Sequence, residues 1–178
     1  MGEWLTGAAR FGTPFQVTLH QLNTFSIALR APVVHVCENP AVLRRAAAEL
    51  GPECPPLVCT EGRPSTAFHR LAAIAVRGGA RLHYHGDFDW PGVDMAAALA
   101  RRYGAELWRM TAADYLAGLA DAAKADAGDA GEGEGRVALA GRPVPTPWDP
   151  ALAEAMRQQG SAVYEEAVAG SLVADLRG

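Results

Sequence analysis

The sequence predicts an α/β fold: a mainly parallel, Rossmann-like central sheet of about four strands flanked by helices, followed by a C-terminal helical extension. Three observations carry this. Strand-like runs at Val33–Cys37, Pro56–Thr60 and Arg81–His85 each lead through a short turn into a helical stretch. The first run, Val33-Val34-His35-Val36-Cys37, has the pattern of a strand buried on both faces, as parallel sheets require. Spacings of this length demand right-handed crossovers, which bring all the strand-to-helix turns to one edge of the sheet.

Each element has a local reason. Residues 1–15 carry Gly, Thr and Pro among scattered aromatics and read as an irregular lead-in, with Phe15-Gln16-Val17 a short strand. Thr18 caps a helix through Leu29, and Pro32 ends it. Pro40 suits a first helical turn, so Ala41–Leu50 is a helix closed at Gly51. Helices follow at Ser65–Val76 and Val93–Tyr103, then a short strand Glu106–Trp108 and a helix from the Thr111 cap through Lys124. Asp126–Gly135 holds no apolar residue larger than Ala and reads as a linker, continued by a Pro-rich extended stretch to Pro147. Trp148–Gln159 and Ser161–Arg177 are amphipathic helices whose Leu152, Met156, Val163, Val168, Leu172 and Leu176 pack back on the core or on a further domain. The expected division is 1–32 lead-in, 33–124 α/β domain, 125–147 linker and 148–178 helical extension.

The 178 residues suffice for one domain with a sizeable core, being 49% hydrophobic. The formal net charge of −4 counts mildly against a nucleic-acid surface spread over the whole chain. Cys37, Cys54 and Cys59 are odd in number and lack CxxC spacing, which suits free thiols in a reducing cytoplasm. No run spans a membrane, and the start is not a signal peptide. The opening Met1-Gly2-Glu3-Trp4 looks like an added start, so the chain is expected to be a piece of a longer protein.

The chemistry is expected in the turns. His83-Tyr84-His85-Gly86-Asp87-Phe88-Asp89-Trp90-Pro91-Gly92 places two carboxylates two residues apart where the third strand ends. Side chains at i and i+2 of a strand share a face, so Asp87 and Asp89 converge if the strand runs through them. Converged carboxylates repel, and a hard divalent cation such as Mg²⁺ relieves the repulsion. Glu38 ends the first strand and joins them on the same sheet edge, where a raised pKa would suit acid/base work. A solvated turn that caps the next helix is the alternative for the Asp pair, and a dipole-stabilised helix start is the alternative for Glu38. Glu61 is divided between a site role and a polar turn, and Asp94 is an accessory candidate. Arg63 is a candidate fork for a phosphate, against the commoner surface arginine. His85 lies near the strand tip, where it would touch substrate; His83 reads as a core histidine. His83, His85 and Asp87 also spell a His-x-His-x-Asp pattern similar to the zinc signature of metallo-β-lactamase-like hydrolases, but Phe88 stands where that signature has His and no His follows His85.

Val36-Cys37-Glu38-Asn39-Pro40, Thr60-Glu61-Gly62-Arg63-Pro64-Ser65 and Gly86-Asp87-Phe88-Asp89-Trp90-Pro91-Gly92, in that order, resemble the three motifs of the Toprim domain in its topoisomerase VI A-like form, over about residues 33–110. Trp90 stands inserted before Pro91 relative to that pattern. The wording of the motifs is also similar to the C-terminal region of JetD-like nuclease subunits of Wadjet-type plasmid-defence systems. The resemblance implies metal-dependent cleavage of DNA phosphodiesters, with Mg²⁺ or Mn²⁺ on Glu38, Asp87 and Asp89 and Glu38 also the acid/base. It implies DNA, condensin-like ATPase subunits, an N-terminal domain of the same chain and a second copy of the chain as partners. The tyrosine-bearing winged helix of the topoisomerase relatives is not evident, so hydrolysis by activated water is expected rather than a covalent link to DNA. A non-catalytic Toprim scaffold that binds DNA or a partner subunit is the alternative, and a zinc hydrolase the third.

Overall fold

The computed structural model describes residues 2–128 and 137–178. Its centre is a four-stranded, all-parallel sheet in the order β2-β1-β3-β4, formed by β1 (Val33–Cys37), β2 (Leu57–Cys59), β3 (Arg81–Tyr84) and β4 (Glu106–Leu107). The α/β class, the parallel sheet and the flanking helices are as the sequence predicts. Val36 pairs with Val58 on one side and Tyr84 on the other, so the residues after β1 and β3 leave the sheet side by side. β1 and β3 are central, and Val34, Val36, Leu82 and Tyr84 are buried in the core.

Helices α3 (Pro40–Leu50), α4 (Thr66–Arg77) and α5 (Trp90–Tyr103) follow β1, β2 and β3 through short turns. Each has a side-chain cap: Asn39 accepts from the Ala41 N–H, Ser65 from Phe68 and Asp89 from Gly92. These caps satisfy helical N–H groups that have no intrahelical partner. α6 (Ala112–Gly128) begins at a reciprocal pair, Thr111 N–H to Asp114 Oδ2 at 3.0 Å and Asp114 N–H to Thr111 Oγ1 at 3.2 Å.

Several expectations change. The lead-in is not irregular: α1 spans Gly2–Arg10, and Phe15–Val17 forms no strand. The helix capped by Thr18, α2, covers only Leu19–Thr24 because Phe25 is already extended, with φ −108° and ψ 138°. α5 starts at Trp90, earlier than predicted, since Pro91 fits its first turn. β3 ends at Tyr84, before the Asp pair, so strand alternation does not carry through Asp87 and Asp89. The helix of the fourth unit extends to Gly128, past the start of the expected linker, whose residues 129–136 lie outside those described.

The C-terminal extension packs back on the α/β core. α7 (Pro150–Gln159) and α8 (Glu165–Asp175) bury Leu152, Met156, Leu172 and Val173 completely. The extended stretch before α7 is pinned, with Leu139 N–H donating to Gly160 O and Ala162 N–H to Val137 O. Residues 161–163 are extended rather than helical: Val163 pairs antiparallel with Phe88, whose N–H donates to Val163 O at 2.8 Å. Tyr115 Oη donates to Ser161 O at 2.6 Å, and Trp148 Nε1 to Met110 O at 2.7 Å. Arg109 grips Asp175 with a two-pronged contact of 2.5 and 2.6 Å, while Trp108 Nε1 donates to the same carboxylate at 2.9 Å.

Gly92 is required sterically. A Cβ there would stand 2.2 Å from Asp87 O and 3.1 Å from Asp89 Oδ1. Gly7 meets nothing within 4 Å of its own added Cβ. Gly92→Ala should therefore cost about 1–3 kcal/mol in denaturant unfolding, and Gly7→Ala should cost nothing; equal midpoints for the two variants would contradict the packing described.

Candidate metal centre

The turns after β1 and β3 meet at one edge of the sheet, where an open α/β fold places its ligands. Glu38 follows β1, and its Oε2 accepts the Asp87 N–H at 3.4 Å. Gly86 makes this approach possible: a Cβ there would lie 2.5 Å from Tyr84 Oη and 3.1 Å from Glu38 Oε2. Asp87 turns its Oδ1 to the Glu165 N–H at 2.8 Å. Asp89 gives Oδ1 to the Gly92 N–H at 2.6 Å, leaving Oδ2 outside that bond.

Burial pushes Asp87 up to about 7, against the N–H bond from Glu165, and the charges of Glu38 and Asp89 raise it further. Glu38 is also raised, first by burial and then by Asp89; the Asp87 N–H, Tyr84 and the Arg63 guanidinium work in the opposite direction. The Asp89 charge thus reaches Glu38 and Asp87, and the Glu38 charge reaches Asp87, with a turn and a helix cap rather than strand parity bringing the Asp pair to this edge. Arg63 is exposed but close enough to Glu38 for its charge to be felt.

The other candidates divide between the core and the surface around this edge. His85 is buried in the core, its Nδ1 2.8 Å from Trp108 O and its ring edge-on to Phe88 and Trp108; burial pulls it down to about 4. His83 Nε2 lies 3.0 Å from Glu106 Oε2, so the two histidines and Asp87 do not converge as a zinc triad would. Glu61 is exposed with φ 54°, in a turn whose Gly62 N–H donates to Glu38 O at 3.1 Å. Asp94 is exposed on α5. Cys37 and Cys59 face each other across β1 and β2 as free thiols.

Sequence reasoning missed Glu165. This residue opens α8 and is fully buried, with Oε2 accepting the N–H groups of Glu38 at 2.9 Å and Asn39 at 2.5 Å. Neighbouring Glu166 accepts from Asn39 Nδ2. Burial drives Glu165 up to about 9, with Asp87 and Glu38 adding to the rise. Its Oε1 has no hydrogen-bond partner. A signal was present: Glu165 sits three and seven residues before Val168 and Leu172, on the apolar stripe of its helix, where a polar residue is out of pattern.

Among the described residues no three His, Cys, Asp or Glu side chains stand close enough to share one ion. The donor set nonetheless fits a hard dication. It consists of carboxylate oxygens, burial and neighbouring charge raise both Glu38 and Asp87, and the buried Glu165 Oε1 beside them lacks a partner.

The fold and the edge cluster define an α/β domain of Rossmann-like plan with an acidic strand-end centre. The chain belongs to the family described as "Protein of unknown function C-terminus" (DUF2399), whose model matches residues 15–176. No curated protein and no solved structure matches it. Among the described residues, no helix is long and apolar enough to cross a membrane.

The raised acids set a pH dependence for the metal-free chain. Asp87 titrates near 7 when folded against an ordinary 3.8, so its stabilising contribution is complete below the unfolded value and lost as pH rises through about 7. Glu165, raised to about 9 from 4.5, extends the loss to higher pH. The melting temperature should fall between pH 6 and pH 9, and Asp87→Asn should flatten that fall; a rise over this range would contradict the buried cluster. Asp87→Ala should also cost about 1 kcal/mol that Asp87→Asn spares, because only Asn still accepts from the first N–H of α8.

Proposed function

We propose that this chain is the Toprim-type nuclease domain of a longer, JetD-like protein and cleaves DNA phosphodiesters by metal-dependent hydrolysis. The observation that carries the proposal is the meeting of Glu38, Asp87 and Asp89 at one strand edge, with burial and mutual charge raising Glu38 and Asp87. Order and spacing of the three motifs support the Toprim resemblance, and the parallel sheet is of the kind it implies. The family's description assigns no activity, so DNA and the condensin-like partner complex rest on the resemblance.

Glu38, Asp87 and the Asp89 oxygen not bonded to Gly92 would hold Mg²⁺ or Mn²⁺. When bound, the ion supplies charge neutralisation at the phosphate and a more acidic water. Glu38, with its raised pKa, would accept the proton of water as the water oxygen bonds to phosphorus and the P–O bond to the departing sugar oxygen breaks, that oxygen taking a proton from solvent. Arg63, exposed beside Glu38, can steady a phosphate oxygen pair with its forked guanidinium. Because Asp89 also caps α5 and Asp87 also caps α8, the ligands are anchored to two helices before any ion arrives.

A scaffold reading has one observation in its favour: the acids are engaged in capping, and no three among the described residues stand within reach of one ion. Two measurements separate the readings. Mn²⁺ should bind the chain, and Glu38→Gln, Asp87→Asn and Asp89→Asn should each lower metal-dependent cleavage of plasmid DNA by about 100-fold or more while the protein still melts cooperatively. Cleavage that survives Asp87→Asn or Asp89→Asn would end the nuclease reading; intact acids without Mn²⁺ binding would establish the scaffold.

A further inference from the structure

The C-terminal helix enters the centre through one residue. Glu165 is fully buried and bonded to both sides of the acidic edge: its Oε2 receives the Glu38 and Asn39 N–H groups, and its own N–H goes to Asp87 Oδ1. No other described residue is hydrogen-bonded to both strand-end turns in this way. The two turns belong to chain segments about fifty residues apart, and β1–β3 pairing ends at Val36 and Tyr84, before either acid. One further ladder bond, His85 N–H to Val36 O at 2.9 Å, follows that register; past it the direct link between the two acids is the long 3.4 Å contact from the Asp87 N–H to Glu38 Oε2. α8 also lacks a side-chain cap from Tyr164, so Asp87 serves that role from across the molecule. The antiparallel bridge from Val163 to Phe88 delivers the helix start to this point.

We infer that Glu165 is a positioning residue of the carboxylate centre: it locks the Glu38 turn and Asp87 into one arrangement, which makes the C-terminal helix a working part of the site. A buried acid on the core face of a helix is an expensive choice for packing alone, and an apolar residue would fill the space without leaving Oε1 unpartnered. The consequence for metal affinity rests on the cation-centre reading above; the locking itself does not.

The test compares Glu165→Ala with Glu165→Gln in the full chain. Gln keeps the acceptor for both N–H groups, and Ala removes it. Amide hydrogen exchange in metal-free protein reads the lock directly. In the Ala variant the Glu38 and Asn39 amides should exchange faster while the interior amides of α3 stay protected, and Gln should restore protection. Mn²⁺ affinity of the folded protein should fall about tenfold or more in the Ala variant and stay near wild type in the Gln variant, as for residues that orient metal ligands from behind. Unchanged exchange at Glu38 and Asn39 on removal of the carboxyl would overturn the inference, as would equal loss of Mn²⁺ binding in both variants, which would mark Glu165 as a direct ligand. A wild-type chain that binds no Mn²⁺ would refute the metal reading, and the exchange result would still decide the lock.

Discussion

Four carboxyl groups, Glu38, Asp87, Asp89 and Glu165, are gathered where a parallel sheet ends, and the cost of taking them out of water is the constraint on which the rest of the structure turns. Desolvation leads the upward shifts of Glu38, Asp87 and Glu165. The protein answers with backbone N–H groups: Asp87 supplies one to Glu38, Gly92 one to Asp89, Glu165 one to Asp87, and the Glu38–Asn39 turn two to Glu165. Each donor belongs to a turn or a helix start, where such groups have no partner inside the element. The acids stabilise the helix starts, and the helix starts make the acids tolerable.

This reciprocity explains the glycines. Gly86 leaves room for Glu38 and Tyr84, and Gly92 lets α5 begin under the Asp87 carbonyl. It also explains why the C-terminal extension cannot be treated as an appendage. α8 buries Val168, Ala169, Leu172 and Val173, and the same helix presents Glu165 to the centre. Arg109 and Trp108, just past β4, fasten its far end through Asp175. Anchored at both ends, the helix can hold its first residue in a fixed place.

What the sequence showed follows from where the information is local. β1, α3, α4 and the Asp89 turn are written in adjacent residues: a β-branched run, Asn39-Pro40, Ser65, Asp89 with Pro91. Their positions were legible for that reason, and so was the edge on which Glu38 and the Asp pair lie, since parallel crossovers dictate it. Strand alternation failed for Asp87 and Asp89 because β3 ends at Tyr84. α1 was missed because its Gly2 and Gly7 are poor helix formers. Glu165 depends on a contact across more than a hundred residues, and only its place on an apolar stripe hinted at burial.

The central claim is that acids far apart in the chain are brought to one cation by a common sheet edge. A crystal of the chain soaked in Mn²⁺ and measured for anomalous scattering tests it most directly. The account predicts a peak bounded by carboxylate oxygens of Glu38, Asp87 and Asp89 at about 2.0–2.3 Å, reached by side-chain rotation with the backbone of both turns in place. A map without density there, or with manganese held only by residues outside this edge, would contradict it.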